Sequence, residues 1–562
     1  MGDSSVQDES HRISSTDDLE VSAYLKISQE IKSDDYKIKN SLDLLNDDHE
    51  KPETILIIDF GSQYSRLIAR RVREAHAYCE IIPHDSSREI AEKFHLKGII
   101  LSGGPSSVYG ANAPLAPAWV FDSGVPVLGI CYGMQLIAHQ LGGVVAEGRE
   151  REYGHAVIRQ SGDYSLLFDG LAEELPVWMS HGDRIDELPA DFKSIAATEN
   201  SPIAAMGSPN NIFGIQFHPE VVHTPQGSEI LMNFIYKICK CKGDWTPGNF
   251  ISDTISRIKN QVGNGKVICA LSGGVDSAVT AMLIHRAISD NLTCIFVNNG
   301  LLRREEASRV RGVFEKHLGL KLVYVDASDR FLSALSGIRD PESKRITIGN
   351  EFIKVFDEQA NSLGVVDFLA QGTLYPDVIE SQTSESTASQ KIKTHHNVGG
   401  LPEHMRLELV EPLRYLFKDE VRLVGKELGM PAEVLNRQPF PGPGLAIRVI
   451  GEITFEKLET LRAADWIVMD EIKGDGLYER LWQSFAVLTD TLTVGVMGDQ
   501  RTYQYVLAIR AVTSDDAMTA DWARIPYDTL AKISNRVVNE VPNVNRVVYD
   551  ITSKPPGTIE WE

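Results

Sequence analysis

The chain has 562 residues, a formal net charge of −22, 43% apolar residues and 24% charged residues. That length exceeds what one hydrophobic core organises, so several domains are expected. The negative excess argues against capture of a nucleic-acid backbone by attraction. No apolar run is long enough for a membrane helix, and six cysteines in so long a chain make no disulfide framework.

Residues 1–50 carry 13 Asp or Glu against 5 Lys or Arg. The segment 1–52 therefore reads as an acidic, disordered tail. Its start lacks the apolar stretch of a signal peptide. Val6 stands where N-myristoylation needs Ser or Thr. Cys239 and Cys241 form a C-x-C with no second ligand pair, so no zinc site is expected. The expected location is the cytosol, with no nucleic-acid or membrane partner.

From Thr54 the pattern changes. ILIIDF (55–60), GIILSGG (98–104) and VPVLGI (125–130) are short β-branched runs, separated by helical patterns such as YSRLIARRVREA (64–75). Buried strands alternating with amphipathic helices predict an α/β domain with a parallel sheet. Further strands are expected at VWM (177–179) and FGIQF (213–217), and a Gly/Pro linker ends this domain, 53–249. A second α/β domain, 250–448, opens with the strand KVICALSGG (266–274), the helix AVTAMLIHRAI (278–288) and the strand TCIFVNNG (293–300). It continues through VDFLAQGT (366–373) and ends near QPFPGPG (438–444). Residues 449–562 read as a small α+β domain with strands at YVLAIRAV (505–512) and RVVYDI (546–551).

GICYG (129–133) places Cys131 between glycines, after a buried strand and before the helix MQLIAHQL (134–141). A strand-to-helix turn exposes a nucleophile, and a helix N-terminus favours the thiolate. Alone, the motif also fits a buried structural cysteine. FHPE (217–220) adds His218 at another strand end and Glu220 two residues on, the base and the orienting carboxylate of a triad. LSGGP, GICYGMQ and IQFHPE occur in that order and resemble the class I glutamine amidotransferases. The resemblance implies a Cys131–His218–Glu220 triad that frees ammonia through a glutamyl thioester. It also implies oxyanion donors at Gly104 and Tyr132, and a glutamine held by Gln135, Ser180 and Asp183.

LSGG recurs at 271–274 and runs on as SGGVDS (272–277) into a helix. Gly and Ser amides at a helix N-terminus cradle an anion, and the loop lacks the Gly-Lys-Ser/Thr of a Walker loop. Asp276 is suited to a Mg²⁺ held by phosphates. SGGVDS resembles the pyrophosphate loop of the N-type ATP pyrophosphatases, which implies cleavage of ATP to AMP. The implied ATP contacts are Ser272, Gly273, Gly274, Val275, Asp276, Ser277, Ala278 and, at the next strand end, Val297. Asn298 stands there where Asp is common in such proteins.

KRITIGNEF (344–352), TLYPDVIES (373–381), IKTHHNVGGLPE (392–403), FPGPGLAIRV (440–449) and RVVYDITSKPPGTIEWE (546–562) resemble the glutamine-hydrolysing GMP synthetases. This implies amination of xanthosine monophosphate (XMP) with ATP and glutamine, and a compact homodimer joined through the C-terminal domain. Asp377 and Glu380 are implied to face the metal or the ammonia, and Lys393, His395 and His396 to form a lid over ATP. Arg345, Gln483, Arg546, Lys554, Ile559 and Glu560 are the implied XMP contacts. The residues alone also allow a solvated loop at the two histidines, a capped helix start at Asp377 and Glu380, and a solvated charged stretch at Arg345. The terminal prolines with Ile559 and Trp561 predict a tail that docks.

Overall fold

The computed structural model describes residues 52–161, 166–378, 407–497, 499–514 and 519–562. Two compact units divide between Phe250 and Ile251.

In the first unit, β1 (Glu53–Asp59) is buried along almost its whole length, as a strand covered on both faces must be. Helix α1 (Ser65–Glu74) buries Ile68, Ala69 and Val72, one stripe of the 3.6 period. Next come β2 (Tyr78–Pro83), β3 (His95–Leu101), β4 (Val127–Ile130) and α2 (Tyr132–Gln140). The sheet is completed by β5 (Val144–Gln160), β6 (Glu174–Glu187), β7 (Lys193–Ala197), β8 (Ala205–Gly207) and β9 (Ile212–Ile215). The spatial order is β2-β1-β3-β4-β9-β8-β7-β5-β6. The first five strands are parallel, as expected. The other four pair antiparallel, and the long β5–β6 ladder extends the sheet well beyond the predicted strands. Charged and Gly residues in VVAEGREREYGHAVIRQ hide the period-two pattern of β5.

The second unit holds a wholly parallel sheet, ordered β12-β11-β10-β13-β14. It is built from β10 (Val267–Ala270), α3 (Val275–Ile288), β11 (Leu292–Asn298), β12 (Leu322–Asp326), α4 (Pro341–Ser362), β13 (Phe368–Ala370) and β14 (Glu408–Val410). Helix α4 starts with Pro341 at its first turn and the Asp340 side chain accepting from Ser343 N at 2.8 Å, a paired start signal. The C-terminal part has α5 (Phe455–Gly474), β15 (Gln483–Met497), β16 (Gln500–Thr513), β17 (Asp521–Trp522), α6 (Tyr527–Glu540) and β18 (Val544–Tyr549). Here β18 runs parallel to β16, while β15 and β17 pair with β16 antiparallel. One apolar cluster runs from Ile268, Ile295 and Leu369 through Ile348 on α4 to Leu461, Val468, Leu507 and Ile533. The core therefore continues across residue 449 without a break. Among the described residues, no helix is long and apolar enough to cross a membrane.

Candidate active site

Strands β4 and β9 lie side by side in register, Ile130 opposite Ile215. Their C-terminal ends therefore deliver Cys131 and the 216–220 segment to one place. Cys131 N donates to the Ile215 carbonyl at 2.8 Å. The Cys131 backbone has φ 51° and ψ −105°, a strained conformation for a side-chain-bearing residue. Close packing around the turn leaves no room for a Cβ on either neighbour. One at Gly129 would stand 2.5 Å from Gly133 backbone, and one at Gly133 would stand 2.3 Å from the Leu101 carbonyl oxygen.

His218 Nδ1 and Glu220 Oε1 are 2.7 Å apart, and both side chains are buried. His218 N donates to the Trp178 carbonyl, while Thr224 Oγ1 bridges the His218 carbonyl and Trp178 N. The Tyr64 ring packs edge-on to the imidazole at 5.2 Å, and Arg71 Nε donates to the Glu220 carbonyl. Burial opposes charging His218, but hydrogen bonds to Cys131 and Glu220 and their negative charge outweigh it, raising its pKa to about 10. A cysteine, an imidazole bonded to it and a carboxylate behind the imidazole can attack an amide carbonyl and pass a proton to the leaving nitrogen.

Gly104 lies against the Tyr132 ring, and Tyr132 opens α2. Burial pushes the Tyr132 phenol up to about 12, and its hydroxyl donates to the Pro114 carbonyl. Gln135 is buried and spends its Nε2 on the Asp183 carbonyl at 3.0 Å and on Gln216 Oε1 at 3.2 Å. The Ser180 carbonyl lies 3.7 Å from Cys131 Sγ, and Asp183 Oδ1 accepts from the Tyr109 hydroxyl at 2.9 Å. Sequence reasoning missed Gln216, whose Nε2 lies 3.6 Å from Cys131 Sγ, although it stands inside the IQFHPE motif. It also missed Tyr64, Tyr109 and Thr224, which no motif marks.

In the second unit, β10 ends in the SGGVDS turn and α3 begins at Val275 with Gly274 as its cap. Gly273 has φ +82°, the left-handed region open to glycine. Ser272 Oγ, Ser277 Oγ and Gly274 N are linked at 3.1–3.2 Å. Ala278 is fully buried, and its amide donates to the Gly274 carbonyl, closing the first turn. Asp276 Oδ2 lies 3.5 Å from Lys418 Nζ, and Arg437 donates to the Gly273 carbonyl while pairing with Glu306. Neither cation was foreseen from sequence. Val297 is packed in the core. Asn298 Oδ1 accepts from Gly300 N, and its Nδ2 donates to the Tyr324 hydroxyl. Asp377 Oδ2 accepts from Leu374 N at 2.9 Å. Glu380, Lys393, His395 and His396 lie outside the described residues.

The C-terminal strap is docked. Glu560 forms a two-armed pair with Arg448 at 2.7 and 3.0 Å, both side chains buried, and also accepts from Gln483 at 2.7 Å. The Arg448 guanidinium stacks on Phe485 at 4.0 Å. Ile559 fills an apolar cluster with Phe485, Val487 and Ala508. Arg345 Nη2 donates to the Glu562 carbonyl at 2.5 Å. The adjacent Lys344, wholly buried and passed over in the sequence, pairs with the Glu562 carboxylate and donates to the Val449 carbonyl. Lys554 exchanges backbone hydrogen bonds with Ala520, and Arg546 is exposed on β18.

A thiol elbow backed by an imidazole–carboxylate pair, with an SGGVDS turn in a separate unit, defines a glutamine amidotransferase joined to an ATP-using synthetase. The chain matches the family models Glutamine amidotransferase class-I over residues 56–238, NAD synthase over 249–354 and GMP synthase C terminal domain over 470–561. It is 66% identical to a GMP synthase [glutamine-hydrolyzing] of Dehalococcoides mccartyi over 517 residues, 92% of this chain and 97% of that one. It is 58% identical to the protein of that name from Thermomicrobium roseum, over 91% of this chain and 97% of the other. The corresponding Heliobacterium modesticaldum protein is 57% identical, over 91% and 99%. The chain belongs to the glutamine-hydrolysing GMP synthase family.

Proposed function

We propose that the chain makes GMP, AMP, pyrophosphate and glutamate from XMP, ATP, glutamine and water. The observation that carries this reading is the convergence of Cys131, His218 and Glu220 at two adjacent strand ends, in a chain whose other unit presents the SGGVDS turn. The Cys131 thiolate attacks the glutamine amide carbon, and His218 hands a proton to the departing ammonia while Glu220 keeps the imidazole oriented. Water then hydrolyses the glutamyl thioester to glutamate and frees Cys131. The Gly104 and Tyr132 amides take the oxyanion. Ser180 and Asp183 hold the glutamine, and Gln135 fixes the Asp183 backbone.

In the second unit the XMP C2 oxygen attacks the α-phosphorus of ATP and pyrophosphate leaves. Ammonia then adds at C2 and AMP departs. Ser272 to Ser277 hold the pyrophosphate, Ala278 sets the helical turn behind them, and Val297 borders the adenosine through its backbone. Lys393, His395 and His396 would cover the ATP.

Mg²⁺ fits the donors present: the hard carboxylate of Asp276 stands in the first turn of α3, and Mg²⁺ takes one or two carboxylates beside substrate phosphates. Asp276 would hold it, with Asp377 and Glu380 as further ligands. When bound it neutralises the pyrophosphate. Arg345, Arg546 and Lys554 supply positive charge for the XMP phosphate, and Gln483, Ile559 and Glu560 shape the strap around the nucleotide.

The β15–β16 hairpin exposes Leu492, Val494, Val496 and Tyr503, which supports a homodimer closed over that face. The proposed location is the cytosol. Incubating the protein with XMP, ATP, Mg²⁺ and glutamine and resolving the nucleotides tests the reading: GMP and AMP are expected in equal amounts. ADP with orthophosphate, or unchanged XMP, would refute it.

A further inference from the structure

Gln371 lies one residue beyond β13. It is 6% exposed, and among the described residues neither its Oε1 nor its Nε2 meets a hydrogen-bonding group. A buried amide left so bears the desolvation cost of both a donor and an acceptor, and native proteins keep few such groups without a use. Gln371 N donates to the Val410 carbonyl at 3.0 Å, so the β13–β14 ladder continues through it. Strand periodicity then puts its side chain on the face of Leu369. That face packs on the cluster holding Ile268, Leu445 and Ala446. The next residue, Gly372, is tight against the pyrophosphate loop: a Cβ there would stand 3.3 Å from the Asp276 carbonyl carbon. Gln371 therefore follows β13 directly, one residue before the backbone that touches the pyrophosphate loop, with its side chain on the apolar face.

A phosphate offers only acceptors and a metal ion takes only acceptors. An amide with both halves open is complementary to a ligand edge that carries a C=O beside an N–H. The lactam edges of the xanthine base have that pattern. The adenine edge also offers a donor and an acceptor, but the adenosine is assigned to the end of β11, and β13 flanks β10 on the opposite side. We infer that Gln371 pairs with a lactam edge of the xanthine ring of XMP and holds its C2 oxygen toward the α-phosphorus of ATP. The inference rests on the GMP-forming reading above.

The test uses the full chain with ammonium as nitrogen donor, comparing wild type with Gln371→Met and Gln371→Leu. Losing two neutral hydrogen bonds raises the KM for XMP roughly 5- to 100-fold. The KM for ATP stays within about twofold, a change under RT in free energy. The melting temperature holds or rises, because an unsatisfied buried amide has been removed. An unchanged KM for XMP, or a shift confined to ATP, overturns the assignment. So does a fall in melting temperature in both variants, which would mark Gln371 as a packing residue. Wild type that never consumes XMP would instead refute the proposed function itself.

Discussion

His218 takes its character from its surroundings. Its pKa lies above the ordinary 6.5, at about 10, because Cys131 and Glu220 outweigh the cost of burial. A raised pKa means that the folded state binds the proton more tightly. The resulting stability is fully present below about pH 6.5 and is lost as pH rises through about 10. The melting-temperature gap between wild type and His218→Gln should therefore narrow between those values. A gap that stays constant or widens would show that the ring is not held as an imidazolium. Cys131 lies in the first unit and the SGGVDS turn in the second. Cys131→Ala should abolish GMP formation from glutamine and leave the rate with ammonium salts near wild type. Equal loss with both donors, in a protein with a normal melting curve, would contradict two separable sites.

At the level of elements, each site stands at a strand-to-helix turn, where parallel sheets leave amides and side chains exposed at their C-terminal edge. The two turns are built differently. The Cys131 elbow places a residue with a side chain at positive φ and depends on tight packing of Gly129 and Gly133. The SGGVDS turn gives the left-handed position to Gly273. Gly133→Ala should therefore cost about 1–3 kcal/mol through the clash with the Leu101 carbonyl. It should also displace the thiol enough to remove glutaminase activity while ammonium-dependent synthesis persists. Denaturant titration alongside both assays checks this, and a fully active variant would show that the elbow can relax.

Across the whole molecule, the C-terminus is tied into the interior. Arg448 and Glu560 form a buried pair with 0% and 1% side-chain exposure, so removing one partner strands a charge. Glu560→Ala should cost about 3–5 kcal/mol of stability, read by chemical denaturation; a loss below about 1 kcal/mol would mean the strap detaches readily. Lys554 lies on the same strap, and in an acidic protein an XMP phosphate needs a local cation. Lys554→Ala should weaken XMP about 10- to 150-fold, the loss of one charge-assisted contact. Calorimetric titration measures it, and an unchanged affinity would place the phosphate elsewhere. Glutaminase activity should be unaffected.

The sequence by itself determined the parallel strands β1, β3, β4, β9, β10, β11 and β13, because short β-branched apolar runs such as ILIID and VICA between amphipathic helices fit strands buried on both faces. It also marked Cys131, His218, Glu220 and the SGGVDS loop, because their chemistry is carried by short contiguous motifs. Only the tertiary structure decided the antiparallel extension from β5 to β8 and the core that crosses residue 449, since pairing partners far apart in the chain leave no local signal. The same holds for Gln216 against the thiol, Lys418 beside Asp276 and Lys344 against the Glu562 side-chain carboxylate. Each owes its role to a neighbour that long-range packing brings within reach, and periodicity and motif spacing do not encode that.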